Sequence, residues 1–310
     1  MARGNIGRYL VKRLLSALIV IIGVTAVIFV VSRLSGDPVD LMLGLEATPE
    51  SRAALRHALG LDQPLHIQYF IFLSNALRGD FGVSIRNNVP AMQLVLERLP
   101  NPSLLTLVTV LLAVAVAIPI GIVSALKHNT ILDYLGMTFT FVGQSIPSFW
   151  LGILLILFLG VQLRLLPISG IGTPAHLVMP AITLSSFLLA SLARLTRSSM
   201  LETLNRDYIR TAQAKGLKYS RVIIRHALRT ALIPVVTVLG LQIAALMGGA
   251  VITEQIFAYP GVGWLAITAI YARDFPVVQA VVFVVSVIVV LANLVVDIVY
   301  TYLDPRIGYE

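Results

Sequence analysis

The chain contains no cysteine and has few charged residues. Of its 310 residues, 12% are Asp, Glu, Lys or Arg and 57% are hydrophobic, whereas a soluble domain carries roughly 25% charged residues. The lack of cysteine excludes disulfides, thiolate catalysis and metal sites built from cysteine. The low charge, combined with long apolar runs, indicates an integral membrane protein.

Motifs of common catalytic and nucleotide sites are also missing. The sequence has no G-x-x-x-x-G-K-[ST] phosphate loop, no H-E-x-x-H zinc pair and no G-x-S-x-G nucleophile elbow. We therefore expect no catalytic residue, no metal and no bound cofactor on this chain. The net charge of +8 lies in loops beside apolar segments, which favours a signal for membrane orientation over nucleic-acid binding.

Six apolar segments are long enough to cross a hydrocarbon core of roughly 30 Å. The predicted spans are residues 14–31, 104–126, 134–163, 177–193, 231–253 and 277–300. The fold class predicted is thus an all-α membrane protein with six transmembrane helices. Three segments follow as predicted domains: residues 1–31 with the first span, an extracytoplasmic segment 32–100, and a transmembrane core 101–310 that contains spans two to six.

The distribution of basic residues orients these spans. Four basic residues precede the first span (Arg3, Arg8, Lys12 and Arg13), and nine lie between spans four and five. The two short loops on the opposite side carry one each, Arg164 and Arg273. Because Lys and Arg accumulate in cytoplasmic loops, both termini are predicted to be inside.

The loop at residues 194–230 has internal order and is more than a linker. It carries nine of the 23 Lys and Arg residues: Arg194, Arg197, Arg206, Arg210, Lys215, Lys218, Arg221, Arg225 and Arg229. A helix is predicted before Gly216, which can adopt positive φ and end it. In the helix after it, the last four basic residues recur every three or four positions and share one face. A helix–glycine–helix projection of this kind predicts a docking element.

This loop resembles the cytoplasmic EAA loop of ABC-transporter permease subunits, in particular the dipeptide, oligopeptide and nickel branch. The resemblance rests on two runs of residues. They are Asp207-Tyr208-Ile209-Arg210-Thr211-Ala212-Gln213-Ala214-Lys215-Gly216 and Arg225-His226-Ala227-Leu228-Arg229-Thr230-Ala231-Leu232-Ile233-Pro234. Arg210 stands where the general consensus has Glu, and the closing Leu-Pro is displaced to Ile233-Pro234.

The resemblance implies an importer subunit in the bacterial cytoplasmic membrane, which moves peptides or similar solutes inward. It implies four further components: a second, related permease, two ABC ATPase subunits that bind ATP and Mg, and an extracytoplasmic substrate-binding protein. The expected ATPase-coupling residues are Asp207, Tyr208, Arg210, Thr211, Ala212, Lys215, Gly216, Arg225 and His226. For His226, pairing with a partner's carboxylate and local capping or packing stay open.

Further segments resemble the same family. Asp37-Pro38, Gly79-Asp80-Phe81-Gly82 and Arg273-Asp274-Phe275-Pro276 lie in predicted external segments, and Asp304-Pro305-Arg306 in the tail. In the first external segment, Thr48 is predicted to cap a helix that Gly60 closes, and residues 67–77 form another. This segment either contacts a binding protein or only covers the helix ends, and one surface can do both.

Five residues are candidates for the pathway or its gate: Gln144, Ser145, Pro147, Gln242 and Glu254. Polar groups in an apolar span either bond across a helix interface or line a passage, and both interpretations stay open for those in span three. In span five, small residues such as Gly240 suit either a subunit interface or a sliding helix.

Three rival functions are a stand-alone secondary transporter, an intramembrane enzyme and an importer of another cargo within the resembled family. The sequence lacks the nucleophile or metal pair that the enzyme would need. A stand-alone secondary transporter would need intramembrane ionisable groups, and Asp297 is the single carboxylate predicted in a span. The basic stripe of the loop could instead contact anionic lipid headgroups. Within the resembled family, nickel, glutathione or another small solute could replace peptides as cargo.

Overall fold

The computed structural model describes residues 6–34, 39, 43, 48–58 and 60–303. The motifs Asp37-Pro38 and Asp304-Pro305-Arg306, and the side chain of Asp297, lie outside what is described. Within these residues the fold is helical and contains no strand, apart from one isolated bridge between Val83 and Pro90.

Fourteen α-helices are described, and two π-helical segments interrupt them. They are α1 Ile6–Leu34, α2 Pro49–Ala58, α3 Leu65–Leu77, α4 Ala91–Arg98, α5 Pro100–Leu126, α6 Ile131–Ser145, α7 Ser148–Leu155, α8 Ala175–Leu204, α9 Asp207–Ala214, α10 Tyr219–Arg221, α11 Leu228–Gly249, α12 Val251–Ile256, α13 Val262–Tyr271 and α14 Phe275–Leu303. The π-helical segments are Ile156–Gln162 and Val222–Ala227.

The predicted membrane spans are present. Five helical stretches are long and apolar enough to cross a membrane, and the number is six if the bent pair Ile131–Ser145 and Ser148–Gln162 forms one span. The five are Val11–Leu34, Ala91–Leu126, Ala175–Leu204, Tyr219–Met247 and Phe275–Val296. Each of the five begins before its predicted start, but Tyr219–Met247 and Phe275–Val296 end before the predicted residues 253 and 300.

The prediction of one continuous third span at residues 134–163 is wrong. Helices α6 and α7 are bent by 97° relative to each other at Ile146 and Pro147. Pro147 disfavours a helical conformation at the residue before it, and Ile146 is extended, with φ −81° and ψ 124°. The proline then begins α7, where its missing N–H leaves no donor unpaired.

The described residues divide into two compact units. The first contains the residues up to Asn101 and Pro260–Leu291. Its core consists of Ala76, Phe81, Ala91, Val95, Val262, Ala269, Val277, Ala280 and Val281. The predicted external segments from both parts of the chain therefore share one core, and the Asn101 amide donates to the Pro260 carbonyl oxygen at 2.8 Å.

Local signals in the first external segment are confirmed. The Thr48 hydroxyl oxygen accepts from the Ser51 amide at 3.2 Å, as a helix cap does. Gly60 has φ +64° and follows α2, while α3 covers the predicted helix at 67–77. Helix α4 was not predicted.

The second unit contains Pro102–Tyr259 and the residues from Ala292 onward. Glycines let its helices approach closely. A Cβ on Gly121 of α5 would lie 2.6 Å from Thr196 Cβ and 2.8 Å from the Ala193 carbonyl oxygen of α8. A Cβ on Gly240 of α11 would lie 2.4 Å from Val296 Cγ2 of α14. At Gly240 the small residue thus serves packing inside this chain.

We predict that Gly121→Ala destabilises the protein by about 1–3 kcal/mol, because the added methyl overlaps backbone as well as side-chain atoms of α8. Gly23→Ala in α1 is the matched control, since a Cβ there meets nothing within 4 Å. Thermal unfolding of both variants in detergent measures the difference. Equal melting temperatures for the two variants would refute the close approach of α5 and α8.

Candidate functional site

The basic loop begins later than predicted. Helix α8 continues to Leu204, so Arg194 and Arg197 lie on a helix and not in a loop. The physical reason is that the buried stripe continues beyond the apolar run: Thr196, Met200 and Thr203 are buried at helical spacing. The loop proper starts at Asn205.

Helix α9 is anchored by one apolar edge. Ile209 and Ala212, three residues apart, are 1% and 7% exposed. They belong to a cluster that draws on the ends of α5 and α8 and on the π-helical segment: Ala125, Met200, Ile209, Ala212, Val222, Ile223, Ala227 and Ala231. Ala212, predicted as a coupling residue, is therefore buried in this cluster. Its contribution to a docking surface is to hold α9 in position.

The rest of α9 faces outward. Asp207, Tyr208, Arg210, Thr211 and Lys215 are all exposed. The Thr211 hydroxyl donates to the Asp207 carbonyl oxygen at 3.0 Å, within the helix. Asp207 lies in the first turn, where a negative charge favours the helix dipole.

Gly216 ends α9 as predicted. Its φ is +74°, and its amide donates to the Gln213 carbonyl oxygen at 2.9 Å. A Cβ at Gly216 would meet nothing within 4 Å. Glycine is therefore favoured here by the left-handed backbone and not by lack of space.

The second predicted helix is present, but a π-helical segment occupies its middle. α10 leads into Val222–Ala227, and α11 follows. The predicted stripe of Lys218, Arg221, Arg225 and Arg229 is exposed throughout, and His226 is half-buried. π-Helical turns are rare and are frequent at functional sites.

Few acidic side chains offset the charge of this surface. Arg206 pairs with Glu202, and Arg210 lies 3.7 Å from Asp207. All four side chains are more than half exposed, so water screens both pairs and neither contributes much stability. The surface keeps a positive excess beside three exposed apolar or aromatic side chains, Tyr208, Tyr219 and Ile224.

An ion pair that the sequence did not predict lies close to this surface. The Asp133 carboxylate is 3% exposed and accepts hydrogen bonds from Arg197 Nε and Nη2, each at 2.7 Å. The Asn129 amide donates to it at 3.0 Å, and His128 Nδ1 lies 3.3 Å away. This bidentate contact joins the first turn of α6 to α8. Asp133 and Arg197 are 64 residues apart, so no local pattern could have paired them.

The pathway candidates of span three lie at the bend. Gln144 is half-buried, whereas Ser145 and Pro147 are exposed. The Ser145 hydroxyl donates to the Phe141 carbonyl oxygen of its own helix at 2.9 Å. Gln242 is half-buried on α11. Their roles in a pathway stay predictions.

Glu254 was predicted to lie in an external loop, but it lies on α12 with only 2% of its surface exposed. Its carbonyl oxygen accepts from the amide of buried Tyr259 at 2.8 Å. Burial, and then the charge of Glu254, raise the pKa of the Tyr259 hydroxyl. Glu254 thus lines no open passage in this structure, and a gating role would require it to become exposed.

Comparison with known proteins identifies the family. A family model described as "Binding-protein-dependent transport system inner membrane component" matches residues 117–309, and the corresponding N-terminal model matches residues 6–107. The chain belongs to this family of transport permeases. It is 42% identical to an oligopeptide transport system permease protein of Bacillus subtilis (strain 168), over 97% of this chain and 99% of that protein.

Other relatives of the permease carry different substrate names. A dipeptide transport system permease protein of Escherichia coli (strain K12) is 38% identical, over 98% of this chain and 99% of the relative. A glutathione transport system permease protein of Salmonella typhimurium (strain LT2) is 40% identical, over 97% and 99%. Both names describe permease proteins of transport systems.

Solved structures support the fold. A chain of the inward-facing MetNI methionine ABC transporter matches with a TM-score of 0.58 and 18% identity, over 69% of this permease and 97% of that chain. At this identity, the likeness concerns the fold alone. The permease is a multi-pass protein of the bacterial inner membrane.

We predict that Asp133→Asn and Arg197→Gln each lower the melting temperature, and that the double variant loses less than the sum of both. The reason is that either single change leaves the other group, a mostly buried guanidinium or carboxylate, without its partner. A double-mutant cycle by thermal unfolding should give a coupling of about 0.5–3 kcal/mol. The exposed pair Asp207 and Arg210 is the control, and we expect no measurable coupling there. Strict additivity at Asp133 and Arg197 would contradict the pairing.

Proposed function

We propose that this permease is one of two membrane subunits of an ATP-driven importer of dipeptides and oligopeptides. Support comes from the relatives named for oligopeptide and dipeptide transport, which match over nearly their whole length. The partners are a second, homologous permease, two ABC ATPase subunits and an extracytoplasmic binding protein. ATP and Mg bind to the ATPase subunits, and this chain holds no cofactor.

The observation that carries the proposal is the exposed basic surface around α9. Its apolar edge is buried on the membrane helices, while its charged residues face outward. A partner that binds a helix held in this way can displace it, and the displacement then moves the elements packed against its buried edge. Lipid headgroups alone would attract the charge, but they do not require the short helix that Gly216 ends.

The proposed mechanism shifts the membrane domain between two states. Closure of the ATPase pair on ATP moves α9, and the packed cluster around Ile209 transmits this movement to the ends of α5 and α8. The Asp133–Arg197 ion pair extends the connection to α6 and thus to the bend before Pro147. ATP acts because it prefers one of the two states, as any ligand that shifts a population must.

Glutathione is a second candidate cargo, because glutathione transport permeases are as similar to this chain as the dipeptide ones. Nickel is a third cargo within the same family. In each case the binding protein, a separate chain, selects the solute.

We expect ATP-dependent uptake of labelled dipeptide by proteoliposomes that contain the full transporter and its binding protein. Labelled glutathione and Ni²⁺ are assayed in parallel. If glutathione or Ni²⁺ were taken up and dipeptide were not, that solute would replace dipeptides as the proposed cargo. Liposomes with this chain alone are the control, and ion-driven uptake there would favour a secondary transporter.

We predict that Gly216→Val abolishes ATPase co-purification and transport, because a β-branched residue disfavours φ +74°. Gly216→Asn is the matched control. Asn adopts positive φ more readily, and no neighbour obstructs its Cβ, so most activity should persist. Pull-down of the ATPase subunits in mild detergent and uptake in proteoliposomes provide the measurements. Full retention of both in Gly216→Val would overturn the assignment of the coupling surface.

A further inference from the structure

A cavity of about 260 Å³ lies in the unit that contains both predicted external segments. Its walls come from the turn after Ser84, from α4, from α13 and from the start of α14. Polar and aromatic side chains line it: Arg86, Asn87, Arg98, Trp264, Thr268 and Asp274.

The carboxylate in this cavity already accepts three hydrogen bonds from the turn at Ser84. Asp274 is 2% exposed. Its Oδ2 accepts from the Ser84 hydroxyl at 2.5 Å and the Arg86 amide at 3.4 Å, and its Oδ1 accepts from the Ile85 amide at 3.2 Å. A hydroxyl and two peptide N–H groups thus stabilise this carboxylate without neutralising it, and no guanidinium is among these donors.

Two guanidinium groups, Arg86 and Arg98, line the same cavity as Asp274, so the charged side chains that line it sum to one positive charge. Arg98 lies over the Trp264 ring, 5.9 Å from its centroid, which orients the group without neutralising it. Arg86 is exposed. Neither arginine forms a salt bridge with the acidic side chains that the structure describes. Planar guanidinium forks bind carboxylates with two parallel hydrogen bonds.

The volume indicates how much of a ligand enters. Pockets that enclose a whole small molecule usually measure about 300–1,000 Å³, so this cavity suits a single side chain better than a complete peptide. Because both wall segments are predicted to face outward, the side chain arrives from the extracytoplasmic side. The family description names a binding protein on which transport depends.

We propose that this cavity receives an Asp or Glu side chain of the extracytoplasmic binding protein, which pairs with Arg86 and Arg98. The inference rests on the proposed function and adds a docking site on the opposite side of the membrane from α9. Asn87 offers a further donor for the carboxylate. Trp264 holds Arg98 in place and acts as a positioning residue.

The test measures binding of the fluorescently labelled binding protein to the full transporter in nanodiscs of neutral lipid. We expect Arg86→Gln and Arg98→Gln each to raise Kd about tenfold and to reduce the salt dependence of binding. Arg98→Lys, which keeps the charge but not the fork, should fall between wild type and Arg98→Gln. Arg78→Gln is the matched control, because Arg78 is exposed in the same unit but does not line the cavity.

The binding protein is tested both without and with cargo. A rise in Kd in both forms supports a side chain of the binding protein as ligand. A rise only with cargo bound would overturn the inference in favour of a carboxylate of the cargo. Unchanged Kd in both Gln variants, or a rise equal to that of Arg78→Gln, would also overturn it.

Failure of this inference is distinguishable from failure of the proposed function. Uptake and ATPase stimulation by the wild-type transporter test the function, whereas the variants test only the cavity. If Arg98→Gln does not yield intact transporter, exposed Arg86 still provides the measurement. ATPase co-purification with each variant shows that the coupling surface is intact.

Discussion

Hydrocarbon offers peptide groups no hydrogen-bond partner, and the backbone in the membrane must therefore supply its own. The described spans obey this constraint through helices that run almost without interruption. The one broken span changes direction at a proline, which has no N–H to leave unpaired, and the Pro147 carbonyl oxygen still accepts from the Leu151 amide at 3.0 Å. Other departures from α-helix in the apolar region are π-helical and keep internal hydrogen bonds.

The position of helix α9 depends on a small buried contact and not on hydrogen bonding within a membrane span. Helix α9 contributes only Ile209 and Ala212 to the buried residues of a shared apolar cluster, and this is enough to hold it against four other elements. Its remaining side chains are left to water and to a partner. A few buried atoms thus fix the position of a charged face, and the face can vary in detail while the attachment persists.

The sequence predicts this fold well wherever a signal is local. Apolar length predicts the spans, Thr48 predicts a helix start and Gly216 predicts a helix end. The sequence predicts less where the contact that fixes the structure joins residues far apart along the chain. Asp133 and Arg197 meet across 64 residues, and the Asp274 carboxylate is held by a turn near Ser84. Pro147 was visible in the sequence, but a proline kinks some membrane helices and breaks others, and its surroundings decide between these outcomes.

The glycine contact between α11 and α14 restricts how the transporter can move. Gly240 lies so close to Val296 that even a methyl group would not fit without adjustment. One turn before it, on the same face of α11, stands Val236, which is larger than glycine. Axial displacement by a turn would force the two helices apart, whereas rotation of the pair as one block preserves the contact. Any cycle of opening and closing should therefore place its hinge elsewhere and carry these two helices together.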